Sequence, residues 1–176
     1  MSGGSIIVLA LLIFAGVTIF KGVRIVPQGY KWIVQRLGKY HTTLTPGLNF
    51  VIPYVDEVAY KVTTKDIVMD IPSQEVITRD NAVLLMNAMA YINITTPEKA
   101  VYGIENYTWA IQNLVQTSLR SIVGEMDLDD ALSSRDHIKA KLKAAISDDI
   151  SDWGITLKTV EIQDIQPSST MQSAME

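Results

Sequence analysis

A long β-strand is predicted by the run Ala82-Val-Leu-Leu-Met-Asn-Ala-Met-Ala-Tyr-Ile-Asn-Ile94. Every second residue from Ala82 to Ile94 is apolar, whereas Asn87 and Asn93 fall on the opposite face. A period of two with one wholly apolar face is typical of a strand in a sheet that is covered on that side. The preceding Arg79-Asp-Asn81 favours a hairpin turn that joins this strand to an earlier one.

Shorter strands are predicted before this run, several of them ended by glycine or proline. They cover Tyr30–Leu37, Leu48–Ile52, Glu57–Val62, Lys65–Ile71 and Gln74–Thr78. Gly38 breaks the first strand, Pro53 closes the second and Pro72 ends the fourth. His41 falls in a segment that we interpret as turn-like.

After the long strand, the apolar period changes to that of helices. The predicted elements are helices over Thr96–Tyr102, Tyr107–Val123 and Ser134–Trp153, a capped helical turn over Asp127–Leu132, and a returning strand over Ile155–Ile162. Thr96 precedes a proline at the first helical position, and Gly154 is suited to end the last of these helices. The sequence therefore predicts an α+β fold, with helices on one face of a largely antiparallel sheet.

An uncharged apolar run, Ile6–Phe20, precedes the first charged residue, Lys21. As a helix it would span about 22 Å, and the uncharged lead before it and snorkelling of Lys21 bring it close to the roughly 30 Å of a bilayer core. A cleaved signal peptide would need basic residues before the run, and a buried core helix would show a polar stripe. We interpret the run as an N-terminal membrane anchor that includes Ile6, Leu9, Leu12, Ile13, Phe14 and Phe20.

The lysines and arginines nearest the anchor all lie on its C-terminal side. They are Lys21, Arg24, Lys31, Arg36 and Lys39, which we call the basic collar. Because basic residues stay on the cytoplasmic side, we expect a single-pass protein of the plasma (inner) membrane, with the N-terminus outside and the domain in the cytoplasm. A basic collar beside an anchor also suits an anionic leaflet.

Composition excludes several classes of function. The first 55 residues contain five Lys or Arg and no Asp or Glu, whereas the remainder contains ten basic and nineteen acidic residues, a net charge of −9. An acidic body argues against nucleic acid as a partner. The absence of cysteine excludes disulfides, thiolate metal sites and a cysteine nucleophile.

Catalytic and cofactor motifs are missing from the sequence. His41 and His137 have no ligand-spaced partners and are predicted to be surface residues. The acidic segment from Asp127 to Asp130 lacks the glycine and distant glutamate of a calcium loop, so we interpret it as helix capping. We therefore expect no enzymatic activity, no cofactor and no metal site; a hydrolase that used Ser118 or His137 is kept only as a third hypothesis.

An apolar segment after the basic collar could lie against a bilayer. The residues that could contact the membrane are Leu48, Phe50 and Tyr54, close to two prolines and a glycine. Shallow insertion into the membrane and ordinary packing inside the domain both remain open from the sequence. The three tryptophans, Trp32, Trp109 and Trp153, are interpreted as core or interface aromatics.

Several stretches together resemble the SPFH (band-7) family, which includes stomatin, prohibitin, flotillin and HflK/HflC. Val26–Tyr40 and Leu44–Tyr54 are similar to the opening of that domain, and Ile71–Asn81 to its central hairpin. Asp152–Ile155 and Val160–Ile165 are similar to its closing helix–strand signature. The wording is most similar to the bacterial stomatin-like branch that includes QmcA.

The resemblance implies a membrane anchor over residues 1–22, an SPFH domain over 23–167, and the truncated start of a coiled-coil-type helix over 168–176. It also implies a non-enzymatic scaffold that oligomerises into rings or cages and organises membrane microdomains and membrane-protein quality control. The implied partners are membrane lipids, further copies of the chain, and a membrane protease such as FtsH or an NfeD-type protein. The alternative is a membrane-tethered regulator that binds such a partner without forming a lattice.

Overall fold

The computed structural model describes residues 3–175, which fold into helices and antiparallel strands. The helices are α1 (Gly3–Gly22), α2 (Pro97–Tyr102), α3 (Tyr107–Gly124), α4 (Leu128–Ser133), α5 (Arg135–Asp152) and α6 (Ser169–Met175). The strands are β1 (Val23–Val26), β2 (Tyr30–Arg36), β3 (Lys39–Leu44), β4 (Gly47–Phe50), β5 (Asp56–Thr63), β6 (Ile67–Ile77), β7 (Val83–Ile94) and β8 (Ile155–Pro167). The chain divides into two compact units, Met1–Lys65 and Asp66–Glu176.

The first unit contains α1 and two small sheets. Strand β1 pairs with β4, and a second sheet has the order β3-β2-β5. Val26, Val34 and Leu44 form a small buried cluster, with half-buried aromatic and aliphatic side chains packed around it. This core connects the two sheets, because Val26 belongs to β1 whereas Val34 and Leu44 belong to β2 and β3.

The second unit is a three-stranded sheet, β6-β7-β8, covered on one face by helices. Alternate residues of β7, from Leu84 to Ile94, are buried, and the residues between them are more exposed. Helix α3 buries Ile111, Val115, Leu119, Ile122 and Val123, and α5 buries Ile138, Leu142, Ile146 and Ile150. The apolar stripes of α3 and α5 and the inner face of the sheet thus supply the core of this unit.

The predicted α+β class is confirmed, and the long alternating strand and the three helices lie where the sequence places them. Gly154 ends α5 with a φ of +68°, as expected of a glycine in that position. The described strands differ from the expectation in one respect: they form three antiparallel sheets rather than one.

Two local strand predictions were wrong. His41 lies in strand β3 rather than in a turn, although its side chain is exposed as predicted. Strand β6 runs continuously through Pro72, the residue that was predicted to end a strand. The pairing with β7 shifts register between Ile71 and Gln74, so Pro72 sits in a bulge on an edge strand, where its missing N–H costs no ladder bond.

The capping of α4 also differs from the local expectation. Asp127 occupies the N-cap position but makes no capping bond, and its carboxylate pairs with the guanidinium of Arg79. Asp80, from the β6–β7 turn, accepts from the backbone N–H of Leu128 at 3.2 Å instead. Its hydrogen bonds to Thr78 and to backbone N–H groups lower the pKa of Asp80. A turn distant in sequence thus caps this helix.

The predicted division into residues 1–22, 23–167 and 168–176 stays a prediction. It separates an anchor, a domain and a terminal helix by their expected place at a membrane. The two compact units are instead defined by the contacts within each unit, and the boundary between them lies between Lys65 and Asp66. Helix α6 covers Ser169–Met175, and the carbonyl of Ser168 accepts from the N–H of Gln172 at 2.9 Å.

Candidate membrane-contacting surface

Helix α1 is apolar around its whole circumference and has the length of a membrane span. Its 20 residues extend for about 30 Å, the thickness of a bilayer hydrocarbon core. The predicted anchor residues Ile6, Leu9, Leu12, Ile13, Phe14 and Phe20 are each between 52% and 83% exposed. Thr18 satisfies its hydroxyl within the helix, by donating to the carbonyl of Phe14 at 2.8 Å. The helix is long and apolar enough to cross a membrane.

The end of α1 is joined directly to the rest of the first unit at Gly22. Strand β1 begins at the next residue, so no linker separates helix from strand. The backbone N–H of Val51 donates to the carbonyl of Gly22 at 2.8 Å. A Cβ at position 22 would lie 2.7 Å from the carbonyl oxygen of Val51, closer than any ordinary contact. Glycine therefore allows the helix end and the segment after β4 to touch.

Strands β1 and β4 form a two-stranded ribbon with one exposed apolar face. Ile25 pairs with Leu48 and Val23 with Phe50, so these four side chains share a face. Ile25, Leu48 and Phe50 are 70%, 65% and 69% exposed. We call this set the apolar ribbon face. It begins one residue after the end of α1.

The segment after β4 adds further apolar side chains. Ile52 is half exposed and Tyr54 is 69% exposed. Tyr54 has a φ of +72°, an uncommon conformation for a residue other than glycine. Lys21 Nζ lies 5.9 Å from the centroid of the Tyr54 ring, which places a positive charge over the aromatic face.

The residues of the basic collar differ in how exposed they are and in whether their charge is paired. Lys21, Arg24 and Lys39 are exposed, and Lys31 is partly exposed. Arg36 is different, because its guanidinium forms a two-point ion pair with Asp56, with Nε–Oδ1 at 2.6 Å and Nη2–Oδ2 at 3.0 Å. Its charge is therefore largely compensated within the protein.

The Arg36–Asp56 pair also fixes the protonation state of the carboxylate. The side chain of Asp56 is 3% exposed and additionally accepts from the backbone N–H of Ile52 at 2.9 Å. The hydrogen bond from Arg36, assisted by that from Ile52, lowers the pKa of Asp56 to about 2. Asp56 therefore stays ionised and paired at physiological pH.

A cleft of about 960 Å³ opens beside the end of α1, within the first unit. Its walls include Phe20, Val23, Trp32 and Tyr54, and Lys21 and Arg24 contribute positive charge. Apolar and aromatic walls with a few placed charges are typical of a site for an amphipathic small molecule.

The residues considered for catalysis are dispersed. Ser118 is partly buried on α3, and His137 is exposed on α5. Among residues 3–175, no group of three His, Asp or Glu side chains is placed to hold a metal ion. Of the tryptophans, Trp32 and Trp153 are partly buried, but Trp109 is 65% exposed and does not belong to the core.

Neither Ile25 nor the cleft was predicted from the sequence. A signal for Ile25 was present, because Val23-Arg-Ile25 alternates apolar and polar residues directly after the anchor. The pairing of β1 with β4 places Ile25 beside Leu48, but that pairing joins segments that are separated by two other strands. The cleft depends on the same long-range pairing.

Comparisons with known proteins agree with the resemblance seen in the sequence. Residues 24–176 match the family described as SPFH domain / Band 7 family. An uncharacterized protein of Mycobacterium tuberculosis is 35% identical over 98% of this chain, and an uncharacterized protein of Methanocaldococcus jannaschii is 40% identical over 95%. Stomatin-like protein 2, mitochondrial, of Homo sapiens is 36% identical over 86%. The chain spans 45% of the mycobacterial relative, 83% of the archaeal one and 42% of the human one.

Proposed function

The chain belongs to the SPFH domain / Band 7 family, and from this premise we propose that it is a non-enzymatic, membrane-anchored scaffold. In this proposal, copies of the chain assemble into rings or cages that organise membrane microdomains and membrane-protein quality control. The observation that carries the proposal is that the apolar ribbon face begins directly after α1, without a linker, and that most of its side chains are exposed.

The apolar ribbon face would lie in the interface of the bilayer. Complete burial of a Leu, Ile or Phe side chain is worth roughly 1.5 to 3 kcal/mol. Because Ile25, Leu48 and Phe50 are each about two-thirds exposed, placing them in the membrane would contribute roughly 3 to 6 kcal/mol in total. This contribution would hold the first unit flat against the membrane instead of leaving it free on a tether.

Labelling of single cysteines tests this contact, because the natural chain contains no cysteine. Leu48→Cys and Ile77→Cys place thiols at positions of similar exposure, 65% and 59%, in the first and second units. In vesicles we expect a water-soluble maleimide to react at least about tenfold more slowly at position 48, because the bilayer shields it. Equal rates in vesicles would overturn the contact. Both variants should react alike after unfolding in detergent and denaturant.

The proposed orientation is supported by the basic residues beside α1. Lys21, Arg24, Lys31 and Lys39 would remain on the cytoplasmic side of the plasma (inner) membrane, which leaves the short N-terminus outside. Ser5→Cys should therefore be labelled in intact cells by an impermeant maleimide, and Ser169→Cys only after lysis. The reverse pattern would refute this orientation.

Assembly is tested by the size of the protein in native membranes. Extraction with a membrane-solubilising polymer, followed by mass measurement of single particles, should give particles with many copies. The measurement is made on this chain and on a form with a longer C-terminal helix. Monomers in both forms would contradict the scaffold.

A second candidate function is a membrane-tethered regulator of a membrane protease such as FtsH, or a partner of an NfeD-type protein. The exposed aromatic residues of the second unit favour it, because Trp109 is 65% and Tyr102 46% exposed, and such residues are enriched in protein interfaces. Pull-down from native membranes separates the two candidates, since the regulator predicts one partner per chain and no further copies of the chain.

A further inference from the structure

The cleft beside the end of α1 combines apolar walls with uncompensated positive charge. Phe20, Val23, Trp32 and Tyr54 supply aromatic and aliphatic surface. Its volume of about 960 Å³ lies at the upper end of the roughly 300 to 1,000 Å³ that is usual for ligand sites. The cleft is therefore large enough for the glycerol region of a lipid and the first part of its acyl chains.

The two cations of the cleft have no acidic partner in the described structure. Ion pairs among residues 3–175 involve Arg36, Arg79, Lys139 and Lys158, but neither Lys21 nor Arg24. Lys21 Nζ lies over the face of the Tyr54 ring, at 5.9 Å from its centroid, and this leaves its positive charge uncompensated. Both cations are exposed, so an anion can approach them from outside.

The one carboxylate that lines the cleft does not cancel this charge. Asp56 is bound at both oxygens by Arg36 and also accepts from the backbone N–H of Ile52. A further cation lies close by, since Lys61 Nζ is 4.4 Å from the centroid of the Trp32 ring, and Trp32 forms a wall of the cleft. The charge presented to a ligand is therefore positive.

We propose that this cleft binds one anionic phospholipid, with its phosphate between Lys21 and Arg24 and its acyl chains along the apolar wall. The inference rests on the proposed membrane anchoring, because α1 would bring the cleft to the depth of the lipid headgroups. A free phosphate would leave the aromatic and aliphatic walls unused, so the geometry favours a lipid as the occupant. The site is local, which distinguishes it from general attraction between a basic surface and an anionic leaflet.

Fluorescence of Trp32 tests the site directly. The whole chain, with Trp109→Phe and Trp153→Phe so that Trp32 is the only indole, is reconstituted in phosphatidylcholine vesicles. A small fraction of lipid carries bromine on its acyl chains, as phosphatidylglycerol or as phosphatidylcholine, since bromine quenches indole only at short range. We expect brominated phosphatidylglycerol to reach half-maximal quenching at a mole fraction on the order of tenfold lower than brominated phosphatidylcholine.

Two charge-matched variants separate the cleft from the rest of the basic collar. Lys21→Gln with Arg24→Gln should remove the preference for phosphatidylglycerol. Lys31→Gln with Lys39→Gln removes the same charge outside the cleft and should leave the preference within about twofold. An equal loss of the preference in both variants would mean that the attraction is diffuse. If the chain that keeps all four cations shows no preference for phosphatidylglycerol, the cleft is not selective. Either result overturns the proposal.

The failure of this inference is distinguishable from failure of the anchoring. A chain that does not span the bilayer would be recovered outside the vesicles after flotation, whatever the lipid. A chain that floats with the vesicles but shows no lipid preference would retain the anchor and lose only the proposed site.

Discussion

Replacing Gly22 by alanine should loosen the joint between α1 and the ribbon. The new Cβ would lie 2.7 Å from the carbonyl oxygen of Val51, and this neighbour is backbone, which cannot rotate away as a side chain could. Overpacking of this kind costs about 1 to 3 kcal/mol, and weakening of the Val51 N–H bond to Gly22 adds about 0.5 to 1.5 kcal/mol. We therefore expect a local destabilisation of about 2 to 4 kcal/mol.

Hydrogen exchange at the Val51 amide, measured in lipid nanodiscs, reports on this joint directly. A loss of 2 to 4 kcal/mol corresponds to exchange that is about 30 to 1,000 times faster, provided that the amide exchanges by local opening. Gly16→Ala is the matched control, because it lies in the same helix with nothing within 4 Å of the added Cβ. Unchanged exchange at Val51 in Gly22→Ala would refute the rigid joint, as would equal acceleration in both variants.

Three further changes test the packing of the two units. At Gly154, which has a φ of +68°, an alanine Cβ would also clash with the backbone at the N-terminus of α2. Chemical denaturation of Gly154→Ala should therefore show that the free energy of unfolding falls by about 3 kcal/mol or more. Gly38→Ala, at a positive φ with open space around it, should lower it by only about 1 kcal/mol. Leu142→Ala, at a fully buried position, should cost about 2 to 5 kcal/mol in the same assay. The depressed pKa of Asp56 stabilises the folded first unit by about 2 kcal/mol above about pH 4, and this contribution should be lost as the pH falls from 4 to 2. We expect the loss to appear as a step in the Trp32 emission between about pH 4 and 2, and Asp56→Asn should abolish that step. A step of the same size in the variant would contradict this prediction.

Elements with a strong local pattern could be predicted from the sequence. Strand β7 alternates because one face packs under α3 and α5, and the residues of that face are all apolar. Helix α3 was equally clear, since its buried residues recur at helical spacing and Asn106 caps it by accepting from the N–H of Trp109. In both cases the physical cause and the sequence signal lie within the same segment.

Elements that depend on distant partners could not be predicted in this way. Strand β3 carries polar, largely exposed residues, so Lys39-Tyr-His-Thr-Thr43 lacks the apolar alternation of a strand, and only its pairing with β2 identifies it. Pro72 ended a strand in the prediction because its tolerance depends on a bulge at a sheet edge. Asp127 was expected to cap α4, but Asp80 does so and Asp127 pairs with Arg79, because both contacts join residues 48 positions apart.

The two units differ in charge, and this difference affects how the chain would attach to a membrane. The first unit contains seven Lys or Arg and two Asp or Glu, whereas the second contains eight basic and seventeen acidic residues. An anionic leaflet attracts the former and repels the latter, each within about 10 Å of the surface. Since Arg36 is neutralised by Asp56, the attraction rests on the exposed cations close to α1 and on Lys61 and Lys65. Electrostatics would therefore reinforce the apolar ribbon face, and a rise in salt should weaken lipid contacts of the first unit while leaving the span of α1 unchanged.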